Sequence, residues 1–94
     1  MNNWKLILEA VLTGPKTSTE LRKMLFEARN PDRVWDARKN RGTYAWYFTS
    51  HPYFPKWPGC GKNGLDYGYI QRVERKGQPC IYVITTKGHT YLTS

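Results

Sequence analysis

Gly68-Tyr69-Ile70-Gln71-Arg72-Val73-Glu74-Arg75-Lys76-Gly77-Gln78-Pro79-Cys80-Ile81-Tyr82-Val83-Ile84-Thr85-Thr86-Lys87-Gly88 reads as two strands joined by a short Lys76-Gly77-Gln78 turn. Apolar residues alternate along both arms. Two such runs separated by a Gly-bearing connection predict a β-hairpin over 69–85. Ile70, Tyr82 and Ile84 carry the period of a core-facing set. The tip is basic, with Arg72, Arg75 and Lys76 before Gly77 and Gln78 after it.

Upstream of the hairpin the pattern turns helical. Trp4, Leu8 and Val11 fall on one stripe with Ile7 beside them, which predicts a helix over about 3–12. Thr13-Gly14-Pro15 ends it, because glycine caps a helix C-terminus well and proline cannot continue the hydrogen-bond ladder. Lys16 and Thr17 form a short extended link. Thr17-Ser18-Thr19-Glu20 then opens a second helix over 18–28, with a hydroxyl three residues before a glutamate as in a capping box. Leu21, Met24, Leu25 and Ala28 supply its inward face, and Arg22, Lys23 and Glu27 face water.

Between this pair and the hairpin the reading is less regular. Asn30-Pro31-Asp32 has the chemistry of a helix start, so a short helix over 31–39 is possible, with Val34, Trp35 and Arg38 along one side. Asn40-Arg41-Gly42 breaks it. Thr43 can cap a third helix over 43–50, in which Tyr44, Tyr47 and Phe48 share a side. Residues 51–67 hold three prolines and several glycines and read as an ordered aromatic loop draped on the core. After Gly88, residues 89–92 look like a last turn that docks Tyr91 and Leu92. The fold class expected is α+β, in a single domain spanning residues 1–94.

Composition narrows the function. Apolar residues make up 39% of the chain and aromatics 15%, enough to build one small core from a few large side chains. Fifteen Lys and Arg stand against seven Asp and Glu, a net charge of +8. Residues 1–29 hold five cations and three acids (+2), and residues 30–94 hold ten and four (+6). Such an excess favours a polyanionic partner, of which nucleic acid is the commonest. No leader-like segment opens the chain and no apolar run has the length of a membrane span, so a cytoplasmic protein without a membrane partner is expected.

The Gly68-Tyr69-Ile70-Gln71-Arg72 run resembles the Gly-Leu-Ile-x-Arg that begins the wing of winged helix-turn-helix regulators. Tyr82-Val83-Ile84-Thr85-Thr86-Lys87-Gly88 resembles the Tyr-x-Leu-Thr-x-x-Gly that ends it. With Thr17-Ser18-Thr19-Glu20-Leu21, the resemblance covers residues 3–29 and 68–92. It implies a three-helix core with a C-terminal hairpin wing and duplex DNA as the partner, in a transcriptional regulator or a DNA-associated accessory factor. The chain between Ala28 and Tyr69 is longer than in compact members. The expansion lies in 30–42, in 51–67, or in both.

In that arrangement a third helix enters the major groove and the hairpin tip reaches phosphate. The recognition segment expected is Arg38, Lys39, Arg41, Thr43, Tyr44 and Tyr47. If the helix instead spans 31–39, Arg33, Asp36 and Arg38 are the readers. Arg72, Arg75, Lys76 and Gln78 are the wing contacts, and Lys16 and Lys23 add phosphate contacts near helix two. The bland readings are a solvated basic loop and a charged edge that blocks strand pairing. Tyr44, Trp46, Tyr47, Tyr53, Phe54 and Trp57 can stack on unpaired bases, but such residues more often fill a core.

Other chemistries find less support. Cys60, Cys80, His51 and His89 are possible zinc ligands, but no pair has finger-like spacing. Gly59-Cys60-Gly61-Lys62-Asn63-Gly64 lacks the P-loop spacing, and the acids form no catalytic pair, so neither an enzyme nor a cofactor is expected. The competing expectation is a protein-interaction module on the same fold, for example a phage protein that binds a host polymerase or defence complex. Its exposed aromatics in 51–67 would be the contact. A monomer or a dimer with a small interface is expected.

Overall fold

A computed structural model describes residues 2–52 and 61–94. Its element order is α1 (Asn3–Leu12), β1 (Lys16–Thr17), α2 (Ser18–Arg29), β2 (Ile70–Arg75), β3 (Gln78–Ile84) and α3 (Thr86–Thr93), with 3-10 turns at Ala45–Phe48 and Gly64–Tyr67. The three strands form one antiparallel sheet in the order β1-β3-β2. The architecture is thus α+β, three helices with a three-stranded antiparallel sheet.

Each helix start has a local cause. Asn2 caps α1, its Oδ1 accepting from Lys5 N at 2.8 Å. Thr17 and Glu20 form the expected capping box: Glu20 N donates to Thr17 Oγ1 at 3.2 Å, and Thr17 N donates to Glu20 Oε1 at 3.0 Å. Both bonds satisfy amides that the helix leaves without intrahelical partners. Thr85 caps α3 in the same way, accepting from Gly88 N at 3.0 Å.

The core gathers Ile7, Leu8 and Val11 of α1, Leu21 and Leu25 of α2, Phe48, Ile70 and Tyr82. Burying each large side chain contributes about 1.5–3 kcal/mol. Trp4, Met24, Ile84, Tyr91 and Leu92 pack against its margin. The α2 face differs from expectation at its end, where Phe26 is buried and Ala28 is exposed. Phe26 packs edge-on to Trp35, with ring centroids 5.6 Å apart. This holds the segment after α2 against the helix.

The extended link at Lys16–Thr17 is a strand, paired through Lys16↔Tyr82 and Thr17↔Ile81. In the hairpin, Gln71↔Val83 and Arg72↔Tyr82 continue to Val73↔Ile81, and then the register shifts so that Arg75 pairs with Gln78. The extra residue lies in β3, around Pro79. A proline is tolerated there because a bulge leaves one residue out of the ladder. The turn proper is Lys76-Gly77, with Gly77 at φ +71°, a left-handed conformation that suits glycine.

Two expected helices are absent. No helix spans 31–39, because Asn30 terminates α2, its N and Nδ2 both donating to Phe26 O at 2.8 and 3.1 Å, and its own carbonyl closes only a single turn with Arg33 N at 3.0 Å. The chain beyond it makes a turn in which Asp36 Oδ1 accepts from the amides of Arg38 and Lys39, at 2.9 and 3.3 Å. The helix expected over 43–50 is a single 3-10 turn. Tyr44 sits at φ +61°, ψ 11°, left-handed and incompatible with a helix entry, and Thr49 is already extended at φ −123°, ψ 155°. The turn gives its aromatics different neighbours: Phe48 enters the core, Tyr47 meets Trp4 and, edge-on, Trp46, and Trp46 also turns to Tyr67. The turn expected at 89–92 is longer than the sequence suggests, extending into the eight-residue α3.

Candidate nucleic-acid interface

β3 lies between β1 and β2, so Tyr82 has Lys16 on one side and Arg72 on the other in direct register. Residues directly opposite one another share a sheet face. Tyr82 is only 4% exposed, and its hydroxyl donates to Phe48 O at 3.2 Å. Burial pushes the phenol pKa up, and the charge and hydrogen-bonding reach of Arg72 pull it partly back, with Arg22 adding a smaller effect. Arg72 of β2 and Arg22 of α2 thus act electrostatically on this phenol from separate elements.

A third arrives from the segment after α2. Arg22 Nη1 donates to Arg41 O at 2.6 Å and to Asn40 O at 3.4 Å, and its guanidinium carbon lies 5.9 Å from the Trp35 ring centroid. These contacts draw the 40–41 backbone onto the first turns of α2. A depression of about 270 Å³ opens there, lined by Ser18, Arg22, Arg41, Phe48, Thr49 and Tyr82 together with Ala45. Its lining among the described residues contains no acid. The Arg41 side chain is exposed and makes no hydrogen bond or ion pair among the described residues.

Lys16 and Arg75 both act electrostatically on Glu20 in the first turn of α2, and Lys16 stands beside Tyr82 in the sheet. The amide of Thr17, then its hydroxyl, holds the Glu20 carboxyl below its usual range. Lys16 is partly committed, its Nζ donating to Thr13 Oγ1 at 3.3 Å and Gly14 O at 3.4 Å. Arg75 braces the bulge, Nε and Nη2 donating to Pro79 O at 3.1 and 2.8 Å. Lys76 and Gln78 are exposed at the hairpin tip.

The remaining expected readers divide. Arg38 and Lys39 are exposed on the Asp36 turn. Thr43 is half-buried, its hydroxyl donating to Asn40 Oδ1 at 3.4 Å. Lys23 is exposed, turned about 100° around α2 from Arg22. Tyr44 and Tyr47 are structural in their contacts. Tyr44 packs on the core, and Tyr47 accepts from Asn3 Nδ2 at 3.1 Å and meets Trp4 edge-on at 5.2 Å. Arg33, the reader under the alternative helix, lies 5.6 Å from the Phe26 ring centroid.

Arg22 is the residue that sequence reasoning missed. Its helical position reads as solvent-facing, and only the fold brings two carbonyls and an indole to it. Ser18 and Tyr82 likewise read as helix start and core. Separate from the lining of that depression is an aromatic band: Tyr67 stacks on Tyr69 at 5.8 Å, Tyr69 meets Tyr91 at 4.6 Å, and Trp46, 6.0 Å from Tyr67, is 43% exposed. Lys62 and Lys87 lie over Tyr67 and Tyr69, at 5.8 and 5.6 Å.

Among the described residues, no three His, Cys, Asp or Glu side chains come together as a metal would require. Cys80 lies in β3, and Cys60, Tyr53, Phe54 and Trp57 fall outside the described residues. No helix among the described residues is long and apolar enough to cross a membrane. No protein-family model, curated protein or solved structure matches the chain.

Proposed function

We propose that this protein binds double-stranded DNA through the basic face around Tyr82, on an arrangement akin to a winged helix. In this reading the hairpin β2–β3 serves as the wing, and the turns between α2 and the hairpin take the part of the third helix. The observation that carries this reading is the depression in which Arg22 and Arg41 stand beside one buried phenol with no acid in the lining, while Lys16 and Arg72 lie in register on either side of that phenol. Gathering like charges is unfavourable in the free protein, and a polyanion reverses that balance. Without a helix to insert, the contacts made are those with backbone phosphate, which position a protein and read little sequence.

The test is a fluorescence titration of labelled duplexes of two unrelated sequences over a range of salt. Similar affinity for both is expected, with a log–log salt slope of several units, each phosphate contact contributing about 0.9. No binding even at low salt would sink the proposal. A second reading, a protein-interaction module, is favoured by the exposure of Trp46 beside the Tyr67–Tyr69–Tyr91 band. Trp46→Ala should leave duplex affinity unchanged if the first reading holds. It should abolish capture of a protein partner from nuclease-treated extract if the second does.

A further inference from the structure

We infer that the depression lined by Ser18, Arg22, Arg41 and Tyr82 is a seat for a single phosphate group, with Arg41 as its principal ligand and Arg22 as its positioning residue. The inference rests on the DNA-binding reading for the source of that phosphate, a backbone diester, although the same chemistry accepts free phosphate. The hollow, about 270 Å³, has room for a tetrahedral oxyanion, and its lining of two arginines with no acid among the described residues favours one.

The donors sort into committed and uncommitted. The Tyr82 hydroxyl donates to Phe48 O, and the Thr49 hydroxyl donates to Trp46 O at 3.2 Å. Neither has a proton left for a ligand. The Ser18 hydroxyl and the Arg41 guanidinium make no hydrogen bond among the described residues, and both line the same hollow. A guanidinium offers a planar fork of donors that matches phosphate oxygens two at a time.

Arg22 does a different job. Its Nη1 is spent on the carbonyls of Asn40 and Arg41, and its Nη2 lies 3.5 Å from Thr19 Oγ1. It fixes the backbone that carries Arg41 while leaving its charge beside the hollow. Arg72, across the strand pair from Tyr82, adds a further positive charge nearby. Arg22 is thus already placed beside the hollow, whereas the exposed Arg41 side chain is ordered when the ligand binds.

The test uses the intact chain and two probes. Inorganic phosphate is titrated at constant ionic strength, with chloride as the reference, while amide shifts are followed by NMR. Saturable shifts centred on Ser18, Arg22, Arg41 and Tyr82, lost in Arg41→Gln, are expected. Shifts that are absent, that spread evenly over the lysine-bearing segments, or that survive in Arg41→Gln overturn the seat. In parallel, Arg41→Gln should weaken duplex binding about tenfold and lower the salt slope by about one, whereas Lys5→Gln changes affinity less than about twofold. If phosphate shifts appear as expected but no duplex binds, the seat stands and takes free phosphate, and the DNA reading falls. If duplex binds while Arg41→Gln changes neither affinity nor shifts, the seat falls and the DNA reading stands.

Discussion

The pair α1–α2 with its hairpin, and the stretch from Asn30 to Tyr67, are built by different means. In the first, order comes from repeating backbone hydrogen bonds and a buried apolar stripe: Ile7, Leu8, Val11, Leu21 and Leu25 meet Ile70 and Tyr82. In the second, the described residues are held by single contacts. Asp36 gathers two amides, Arg22 grips two carbonyls, and Asp66 Oδ2 accepts from His51 N and Asn63 N at 2.8 and 2.9 Å. The regular part positions a scaffold. The irregular part brings Arg41 to it, and the proposed function depends on their junction.

Substitutions can break that contrast in order of size. Leu25→Ala removes a side chain with no exposure from the regular part and should cost about 3 kcal/mol, read as a lower urea midpoint with unchanged m-value. Gly64→Ala strikes the irregular part where backbones touch. A Cβ there would lie 2.0 Å from Tyr47 O, so about 2 kcal/mol and a displaced 45–48 turn are expected, the latter visible as shifted Trp4 and Tyr47 ring signals. Thr17→Ala removes one half of the capping box and should cost about 1 kcal/mol, with faster amide exchange confined to the first turn of α2. If Leu25→Ala cost no more than Thr17→Ala, the division between a packed scaffold and a pinned segment would be wrong.

The smallest effect is on pH. The His51 amide, helped by that of Asn63, holds the Asp66 carboxyl below its usual range. A folded pKa below the unfolded one stabilises fully above the unfolded value, near 4, and that contribution fades as pH falls through the folded value. Glu20, lowered by Thr17, behaves the same way. Acid titration should therefore leave stability flat from neutral pH to about 5 and then lower it. Asp66→Asn should remove part of that acid limb and speed exchange at His51 and Asn63, while Leu25→Ala leaves the shape of the limb intact.

The same contrast explains what could be read in advance. The Thr17–Glu20 box is local chemistry and is visible in four letters. The Thr85-Thr86-Lys87-Gly88 run is legible as a motif but not as a helix start, because glycine disfavours helices. It is retained where α3 crosses the chain, since a Cβ at Gly88 would lie 2.1 Å from Tyr69 O. Tyr44 defeats the helix expected over 43–50, because a tyrosine gives no sign that it will adopt a left-handed backbone. Arg22 is hidden for another reason. Helical periodicity assigns a side chain to a face, and only the long-range return of residues 40–41 makes that face half-buried. Lys16 and Arg72 are legible as basic residues, whereas their shared flanking of Tyr82 depends on a two-residue strand too short to signal itself.

The central claim is that the face around Tyr82 meets duplex DNA. The most direct measurement is an amide-shift map of the intact chain titrated with a short duplex at low salt. Shifts are predicted at Lys16, Ser18–Arg22, Arg41 and Arg72–Lys76, with the Tyr67, Tyr69 and Tyr91 signals unmoved. Shifts confined to Trp46 and that aromatic band, or no shifts at all, would contradict it.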